Sequence, residues 1–428
     1  MQEFTVNLRA LTPLWTGNAD GKCDDLKESG IIGSLRWWYE ALLRGLGSNV
    51  CDPTDEDSRC KLDQKKFHED INSGKSVLEA LNKQNICPAC QLFGCSGWAR
   101  KFRLEINHLD NKNYAPFLIA KPPNSRKSYF LGYYEKSGEN YKKNGGLLGK
   151  YKLKFLVESI GETKEESIID ILKMLILLSS HWGLGSGTQK GFGIVEVEEN
   201  LKFNNTDFFN KEKLSKNNNH IINQKQNLYK LPLPKIDQFF FYKIPFKTEA
   251  INNIRGNILK NIYKTTNDLN NNNYNNDYKA LFNSFIPTSP WIRQSIRTLF
   301  REKFESKELR HYIMGFINGN IHLESSKDIL TKTGSKIHVS HIYNKNAFEK
   351  DQEPFWEMKI WGWIPEIDKN LGKSRDEVAN LLKENLKGEK FWKNALNLDN
   401  FPVEITKIVE KWDLKPEVFF SSEGEIYE

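Results

Sequence analysis

Four of the six cysteines are spaced as in a structural zinc site. The predicted ligands are Cys51, Cys60, Cys87 and Cys90. The last two form a C-x-x-C pair, whose thiolates can reach one tetrahedral Zn²⁺. The first two flank a polar stretch without the apolar residues for a core of its own, and a bound metal could hold such a stretch together. The alternative is a set of ordinary buried thiols.

Other residues limit what this metal could do. Cys95 and His68 are spare ligands. A catalytic zinc is disfavoured, because no H-x-x-x-H or similar histidine cluster accompanies the cysteines. The sequence therefore predicts a structural zinc site in an insertion from about residue 49 to 97.

A glycine-rich loop between residues 181 and 193 could bind an anion. Its glycines are Gly183, Gly185, Gly187, Gly191 and Gly193. Glycine permits positive φ and close backbone approach, so such a loop can offer main-chain N–H groups to a phosphate. Lys190 would add positive charge, and Thr188 and Gln189 would add donors. The other interpretation is a tight helix-to-strand connection. A Walker A loop is excluded, because Gly191 stands where that motif needs Ser or Thr.

Cations lie beside aromatic residues in both halves of the chain. The first cluster comprises Trp98, Arg100, Lys101 and Arg103. This mixture suits phosphate contacts and base stacking, although it also suits a solvated strand edge. Further cations that could extend a track for a polyanion are Arg36, Arg293, Arg297 and Lys336.

Acid–base chemistry has few candidates. The carboxylates of the first loop are Asp20, Asp24 and Asp25, and their alternative is a solvated turn. His338 and His341 would face opposite sides of a strand, and the eight histidines form no recognisable acid–base pair. The sequence contains no G-x-S-x-G motif and no dinucleotide-binding fingerprint.

Hydrophobic periodicity predicts the elements that carry these residues. In the first half, strand and helix patterns cover residues 4–10, 31–46, 101–106, 152–157, 168–178 and 194–197. In the second half they cover residues 238–246, 291–300, 336–342, 356–364, 374–395 and 403–409. Capping boxes are predicted at Thr163 with Glu166 and at Ser374 with Glu377. The order predicts an α+β fold with two ferredoxin-like domains, 1–200 and 237–428, joined by a linker, 201–236.

The composition is compatible with an acidic partner. The net charge is +7 and the pI is about 8.8, which suits a polyanion without proving one. The start lacks an apolar signal region, and residues 168–178 are too short to span a bilayer. We therefore expect a soluble cytoplasmic protein without a membrane partner, whose cysteines are thiols or metal ligands.

Several segments together resemble the RAMP superfamily. They are residues 13–17, 30–39, 87–94, 183–193, 335–343 and 361–365. Within that superfamily they are similar to the Cmr-one subunits of type III-B CRISPR effector complexes. The resemblance implies two ferredoxin-like (RRM-like) RAMP domains. It also implies a ribonucleoprotein partner in antiviral defence, in which a guide RNA finds complementary target RNA.

The resemblance further implies a non-catalytic subunit near the guide 3′ end, which contacts guide or target RNA and neighbouring RAMP subunits. Two alternatives remain open. In related backbone subunits an aspartate after the first strand cuts RNA, so the loop aspartates leave an endoribonuclease possible. The protein could also be a purely structural capping subunit whose basic residues serve protein contacts.

Overall fold

The computed structural model describes most of the chain. The described residues are 1–18, 23–110, 113–123, 125, 128–137, 140–203, 232–263, 281–316, 321–322, 329–330, 332–347, 349 and 351–415. Asp20 and most of the predicted linker lie outside these ranges.

The first unit is built on one antiparallel sheet and two long helices. Its elements are β1 (Gln2–Leu14), α1 (Glu28–Gly45), α2 (Gln64–Asn72), α3 (Val77–Lys83), α4 (Pro88–Phe93), β2 (Phe102–His108), β3 (Asn113–Tyr114), β4 (Leu118–Ala120), β5 (Tyr129–Leu131), β6 (Tyr133–Ser137), β7 (Asn140–Asn144), β8 (Leu147–Val157), α5 (Glu165–Trp182) and β9 (Val195–Val197). The strand order is β2-β8-β1-β9. Val6 lies opposite Leu153, which lies opposite Ile106, so alternating apolar residues form one covered face of the sheet.

The two long helices cover that face. The apolar stripe predicted for α1 is confirmed, because Ile31, Leu35, Trp38 and Leu42 are all buried. Helix α5 is buried over most of its length. The capping box predicted ahead of α5 is wrong, since the N-cap residue is Lys164 and no side chain caps it.

The cysteine-bearing insertion carries α2, α3 and α4 and packs against α1. Its apolar residues include Leu62, Leu81 and Phe93, which belong to the same hydrophobic core as α1. The insertion therefore shares the core of the first unit and builds none of its own.

The second unit repeats the pattern of the first. Its elements are β10 (Phe239–Phe246), α6 (Thr248–Leu259), β11 (Ile262–Tyr263), β12 (Phe285–Ile286), α7 (Ser289–Phe304), α8 (Lys307–Met314), β13 (Ile321–His322), β14 (Ile329–Leu330), β15 (Ile337–Val339), β16 (Ile342–Asn344), β17 (Trp356–Trp363), α9 (Arg375–Leu386), α10 (Glu389–Leu396) and β18 (Val409–Trp412). The antiparallel order is β12-β16-β17-β10-β18, and β15 also pairs with β17. The capping box at Ser374 and Glu377 is confirmed. The strand predicted at residues 336–342 is two short strands instead, β15 and β16.

The two units are joined by a shared sheet and by aromatic packing. β11 of the second unit pairs with β4 of the first, and β4 pairs with β5. Phe239, at the start of β10, packs against Trp38 and Trp182 of the first unit. The residues described by the structure include no helix that is both long and apolar enough to cross a membrane.

Candidate functional site

The glycine loop that joins α5 to β9 uses most of its main-chain donors internally, including four of its five glycine amides. The Gly183 amide donates to the Ser179 carbonyl, and the Gly185 amide donates to Ser34 Oγ. The Gly191 amide donates to the Thr188 carbonyl, and the Gly193 amide donates to the Pro13 carbonyl. These amides are not available to an anion. The prediction that these four glycines cradle a phosphate through their backbone is therefore corrected.

The glycines are needed for tight packing. Gly191 has φ +97°, and a Cβ there would lie 2.5 Å from the His341 ring and 2.7 Å from Ser289 Cβ. Both neighbours belong to the second unit. The His341 amide also donates to the Gly191 carbonyl at 3.3 Å. The loop is therefore a connection between the two units.

The polar side chains of the loop remain at its surface or at the junction. Thr188 Oγ1 lies 2.9 Å from His338 Nδ1 of the second unit. Gln189 and Lys190 are exposed. The Lys190 ammonium donates to the Gly132 carbonyl at 3.2 Å. These side chains, rather than the four bonded glycine amides, are the groups that this loop offers to a partner.

An aromatic cluster fills the junction between the units. The His338 ring stacks on Trp361 at 4.0 Å between centroids. Trp38 stacks on Trp182 at 4.9 Å, and its indole N–H donates to the Gly183 carbonyl at 3.0 Å. The sequence signal for this cluster was the pair of tryptophan motifs at residues 37–38 and 361–363, to which sequence reasoning assigned no chemistry.

A cavity of about 750 Å³ opens beside this cluster. Both units line it, with Trp37 and Ser34 on α1, and with His338 and Trp363 from the second sheet. Trp37 and Trp363 are half-buried, and their ring centroids are 5.7 Å apart.

Four of the predicted cations serve contacts inside the protein. Arg293 donates to the Ile337 carbonyl at 2.7 Å, and Arg297 donates to the Met314 carbonyl at 3.0 Å. The Lys336 ammonium donates to the Tyr312 carbonyl at 2.8 Å, and burial lowers its pKa to about 7. Arg36 donates to Glu40 and to the Gly94 carbonyl. These internal acceptors correct the predicted contact of Arg36, Arg293, Arg297 and Lys336 with a polyanion.

The cluster at residues 98–103 remains accessible, and we call it the basic strip. Arg100 and Arg103 are exposed, while Trp98 and Lys101 are half-buried. The Lys101 ammonium lies 4.3 Å from the Trp98 ring centroid. Trp98 donates its indole N–H to the Gln91 carbonyl at 2.9 Å, which anchors the strip on the insertion.

The four predicted cysteines meet in one buried cluster. Their sulfur atoms all lie within 4.8 Å of one another. The Sγ atom of Cys51 is 3.5 Å from that of Cys90 and 3.7 Å from that of Cys87. Zinc–thiolate bonds of about 2.3 Å in a tetrahedron place the sulfurs about 3.8 Å apart. The observed spacing therefore fits a tetrahedral metal site.

Groups around the cluster suit negatively charged sulfurs. The Cys87 amide donates to Cys60 Sγ at 3.4 Å, and Arg36 Nη2 donates to Cys90 Sγ at 3.2 Å. Burial lowers the pKa of Arg36, but the hydrogen bond to Glu40 and the charge of Cys90 outweigh it, so the pKa is raised above its ordinary value. Groups that donate hydrogen bonds to metal ligands in this way orient thiolates and stabilise their negative charge. The spare candidates Cys95 and His68 are not in the four-sulfur group.

The structure pairs one loop aspartate with a histidine that sequence reasoning missed. Asp25 Oδ1 lies 3.5 Å from Nε2 of His108 on β2. The Asp24 carbonyl accepts a hydrogen bond from Tyr114 at 2.9 Å, and Asp24 itself is exposed. No local spacing could reveal the pair, because the two residues meet only through the fold. Asp20 lies outside the described residues.

The buried histidines make the junction sensitive to acid. Burial, helped by Arg293, lowers the pKa of His338 to about 3. The unfolded side chain keeps an ordinary pKa near 6.5, so the unfolded chain binds the proton first as the pH falls. The free energy of unfolding should fall from about pH 6.5 towards pH 3, by up to ~1.4 kcal/mol per pH unit for each such histidine. We expect the free energy of unfolding of His338→Asn to depend less steeply on pH, by the contribution of about one proton. Urea unfolding at pH 7, 6 and 5 measures this difference. Parallel slopes for both proteins would contradict it.

Comparison with known proteins shows which family the first unit is similar to. Residues 7–196, which make up most of the first unit, match the model of the RAMP superfamily. Within it, the chain resembles Cmr1 subunits. It is 35% identical over 51 residues to the CRISPR system Cmr subunit Cmr1-2 of Pyrococcus furiosus. That alignment covers 12% of this chain and spans 27% of the length of the curated relative.

Two solved structures are similar over most of the chain at low sequence identity. The apo form of Cmr1 from Pyrococcus furiosus is 12% identical, with 96% of this chain and 99% of that chain covered and a TM-score of 0.35. A chain of type III-B Cmr-beta bound to cognate target RNA and AMPPnP is 11% identical, with 89% and 98% covered and a TM-score of 0.39.

Proposed function

We propose that the protein is a non-catalytic RNA-binding subunit of a type III-B CRISPR effector complex. In this role it contacts guide and target RNA near the guide 3′ end, beside other RAMP subunits. The match of residues 7–196 to the RAMP superfamily and the identity to a Cmr subunit support the assignment. The observation that carries RNA contact is the accessible basic strip.

The topology supports two ferredoxin-like RAMP domains. In the first unit the order β9-β1-β8-β2 is 4-1-3-2 when the four main strands are numbered along the chain. In the second unit β18, β10, β17 and the β15–β16 pair take the same order. Each unit places helices between its first and second strands and between its third and fourth, as the β-α-β-β-α-β motif requires.

The cysteine cluster supports a structural zinc ion in the insertion. Four thiolates with no open position define a closed site, in which zinc stabilises the fold and performs no catalysis. The site also supports the basic strip. Cys90 is a residue of α4, and the Trp98 indole donates a hydrogen bond to the carbonyl of Gln91 on the same helix.

The basic strip has the chemistry for a single RNA strand. Arg103 can contact a phosphate, and so can the terminal nitrogens of the exposed Arg100, whose Nε–H donates to the Phe102 carbonyl at 2.7 Å and whose guanidinium lies 5.2 Å from the Phe102 ring centroid. Phosphate contacts of this kind do not read sequence. Base pairing between guide and target would supply the specificity, as in other RNA-guided complexes.

Beyond Arg103 at its edge, the open face of the first sheet is a weaker candidate for RNA contact. Two of its lysines are paired with carboxylates: Lys150 with Glu198, and Lys154 with Glu3 and Glu105. Binding a phosphate there would require these ion pairs to break. The strip has no such pairs among the described ion pairs, which favours it as the contact surface.

Removing the two strip arginines should weaken RNA binding in a salt-dependent way. For the double variant Arg100→Ala with Arg103→Ala, we expect lower affinity for single-stranded RNA. The logarithm of the RNA association constant falls as the logarithm of the salt concentration rises, and this slope should become less negative by about 0.7 for each lost phosphate contact. Fluorescence anisotropy with a labelled oligonucleotide across a salt series measures both effects.

A matched control removes two exposed lysines from the second unit. Lys369→Ala with Lys390→Ala changes the net charge by the same amount. This control should leave the salt slope near the wild-type value. If both double variants lose the same affinity, the strip is not a specific contact and only the overall charge matters.

One observation favours a second function, a RAMP endoribonuclease. The Asp25 carboxylate, which lies 3.5 Å from His108 Nε2, could accept the proton of a ribose 2′-OH, whereas the Nδ1 atom of His108 is buried and cannot reach one. Incubating labelled RNA with wild type, Asp24→Ala, Asp25→Ala and His108→Ala tests it. Cleavage that is lost in the variants would replace the non-catalytic proposal. The purely structural alternative is tested by crosslinking to guide or target RNA in the assembled complex.

A further inference from the structure

We propose that the cavity between the two units holds one unpaired nucleobase of the bound RNA strand. This inference rests on the proposed function and names a second kind of contact within it. The strip would hold phosphates, whereas the cavity would take a base turned out of the strand.

The aromatic wall of the cavity suits a flat ring. Trp37 and Trp363 line it and keep part of their surface uncovered, while Trp38 and Trp361 behind them are buried. One side of Trp363 is covered by Phe239, which stacks on it at 5.7 Å and 23°. A base stacked on such a tryptophan is favourable whatever its identity, because every base has a π-face.

The remaining wall is polar but carries no negative charge. Among the described residues that line the cavity, none bears a carboxylate. The only ammonium is that of Lys336, which bonds the Tyr312 carbonyl and lies 3.9 Å from the centroid of the Tyr312 ring. Because this ammonium is already bonded to a carbonyl and lies over an aromatic ring, the wall offers little to a phosphate. It favours an uncharged ring with hydrogen-bonding edges.

Hydrogen-bonding groups are present for such edges. Ser34, Ser186, Thr333 and Ser335 line the cavity. His338 also lines it and is 6% exposed, and its buried Nε2 atom has no hydrogen-bond partner in the described part of the protein. The volume of about 750 Å³ lies within the range of small-molecule sites.

One residue allows the cavity to be filled without disturbing the fold. Gly33 lies on α1 at the cavity wall, and a Cβ added there meets nothing within 4 Å. Gly33→Leu therefore places an apolar side chain in or against the cavity. Leucine also favours a helix more than glycine does, so the variant should remain folded. Gly256→Leu on α6 is the matched control, because it too is helical with open space around its Cβ.

The experiment compares a single-stranded RNA oligonucleotide with an abasic ribose-phosphate oligomer of equal length. Both are titrated into wild type, Gly33→Leu and Gly256→Leu by fluorescence anisotropy, with melting temperatures as the folding check. We expect Gly33→Leu to bind RNA roughly 5- to 150-fold more weakly, the equivalent of ~1–3 kcal/mol for one stacked base. Its affinity for the abasic oligomer should match wild type. Gly256→Leu should behave as wild type with both.

The outcomes separate this inference from the proposed function. If wild type binds RNA and Gly33→Leu binds it equally well, the cavity holds no base and the RNA-binding proposal stands. If Gly33→Leu weakens RNA and the abasic oligomer alike, the cavity contacts the backbone and the inference is overturned. If wild type binds neither oligomer, the proposed function itself fails.

Discussion

Replacing Cys87 with serine is expected to abolish zinc binding and to destabilise the insertion. The thiolates of Cys51, Cys60 and Cys90 would remain, but three sulfurs hold zinc far less tightly than the closed set of four. A metal that binds only the folded state adds ~4 kcal/mol when it is present at 1,000 times its dissociation constant. The variant should lose a stabilisation of that order. Metal analysis of the purified protein and thermal unfolding with and without a chelator measure it.

Cys95→Ser is the matched control for this change. Cys95 is half-buried in the same region but lies outside the four-sulfur cluster. It should retain one zinc per chain and respond to chelator as wild type does. The zinc proposal would be overturned if wild-type protein contained no zinc, or if chelation left its unfolding temperature unchanged.

Gly191→Ala is expected to destabilise the contact between the two units. An alanine at φ +97° adopts a strained backbone, which costs ~1–2 kcal/mol. Its Cβ would also lie 2.5 Å from the His341 ring, and overpacking of this kind typically adds ~1–3 kcal/mol. Together these effects predict a loss of roughly 2–5 kcal/mol in the free energy of unfolding, measured with urea.

The control for this prediction is another glycine-to-alanine change with room for the new methyl. Gly256→Ala on α6 meets nothing within 4 Å, so it should be neutral or stabilising by up to ~1 kcal/mol. Wild-type stability in Gly191→Ala would show that the loop can move away from the second unit. The structural role assigned to the loop would then be wrong.

Local patterns in the sequence were sufficient to predict the main helices and strands. Apolar residues at helical spacing predicted α1, and alternation predicted β1, because both periods follow directly from backbone geometry. The grouping of four cysteines was also readable, since Cys87 and Cys90 have the spacing of a ligand pair. The strand predicted at residues 336–342 divides at His341, whose amide donates to the Gly191 carbonyl of the first unit instead of to a neighbouring strand.

The surroundings of charged side chains were predicted less well than the helices and strands. Arg293 and Lys336 looked like surface cations, yet both are buried and donate to backbone carbonyls. Their chain neighbours carry no sign of this, since burial depends on which segment packs over them. The same holds for the glycine amides, whose acceptors include the carbonyl of Pro13, a residue on β1.

The sequence by itself determined the α+β pattern, the cysteine cluster and the resemblance to RAMP proteins, because each depends on residues close together in the chain. Only the tertiary structure decided which groups face a partner. It bonded four of the loop's glycine amides internally, paired Asp25 with His108, and placed Trp37 beside Trp363 at a cavity. These contacts join residues far apart in sequence. Their partners are set by the packing of the two units, which no local spacing encodes.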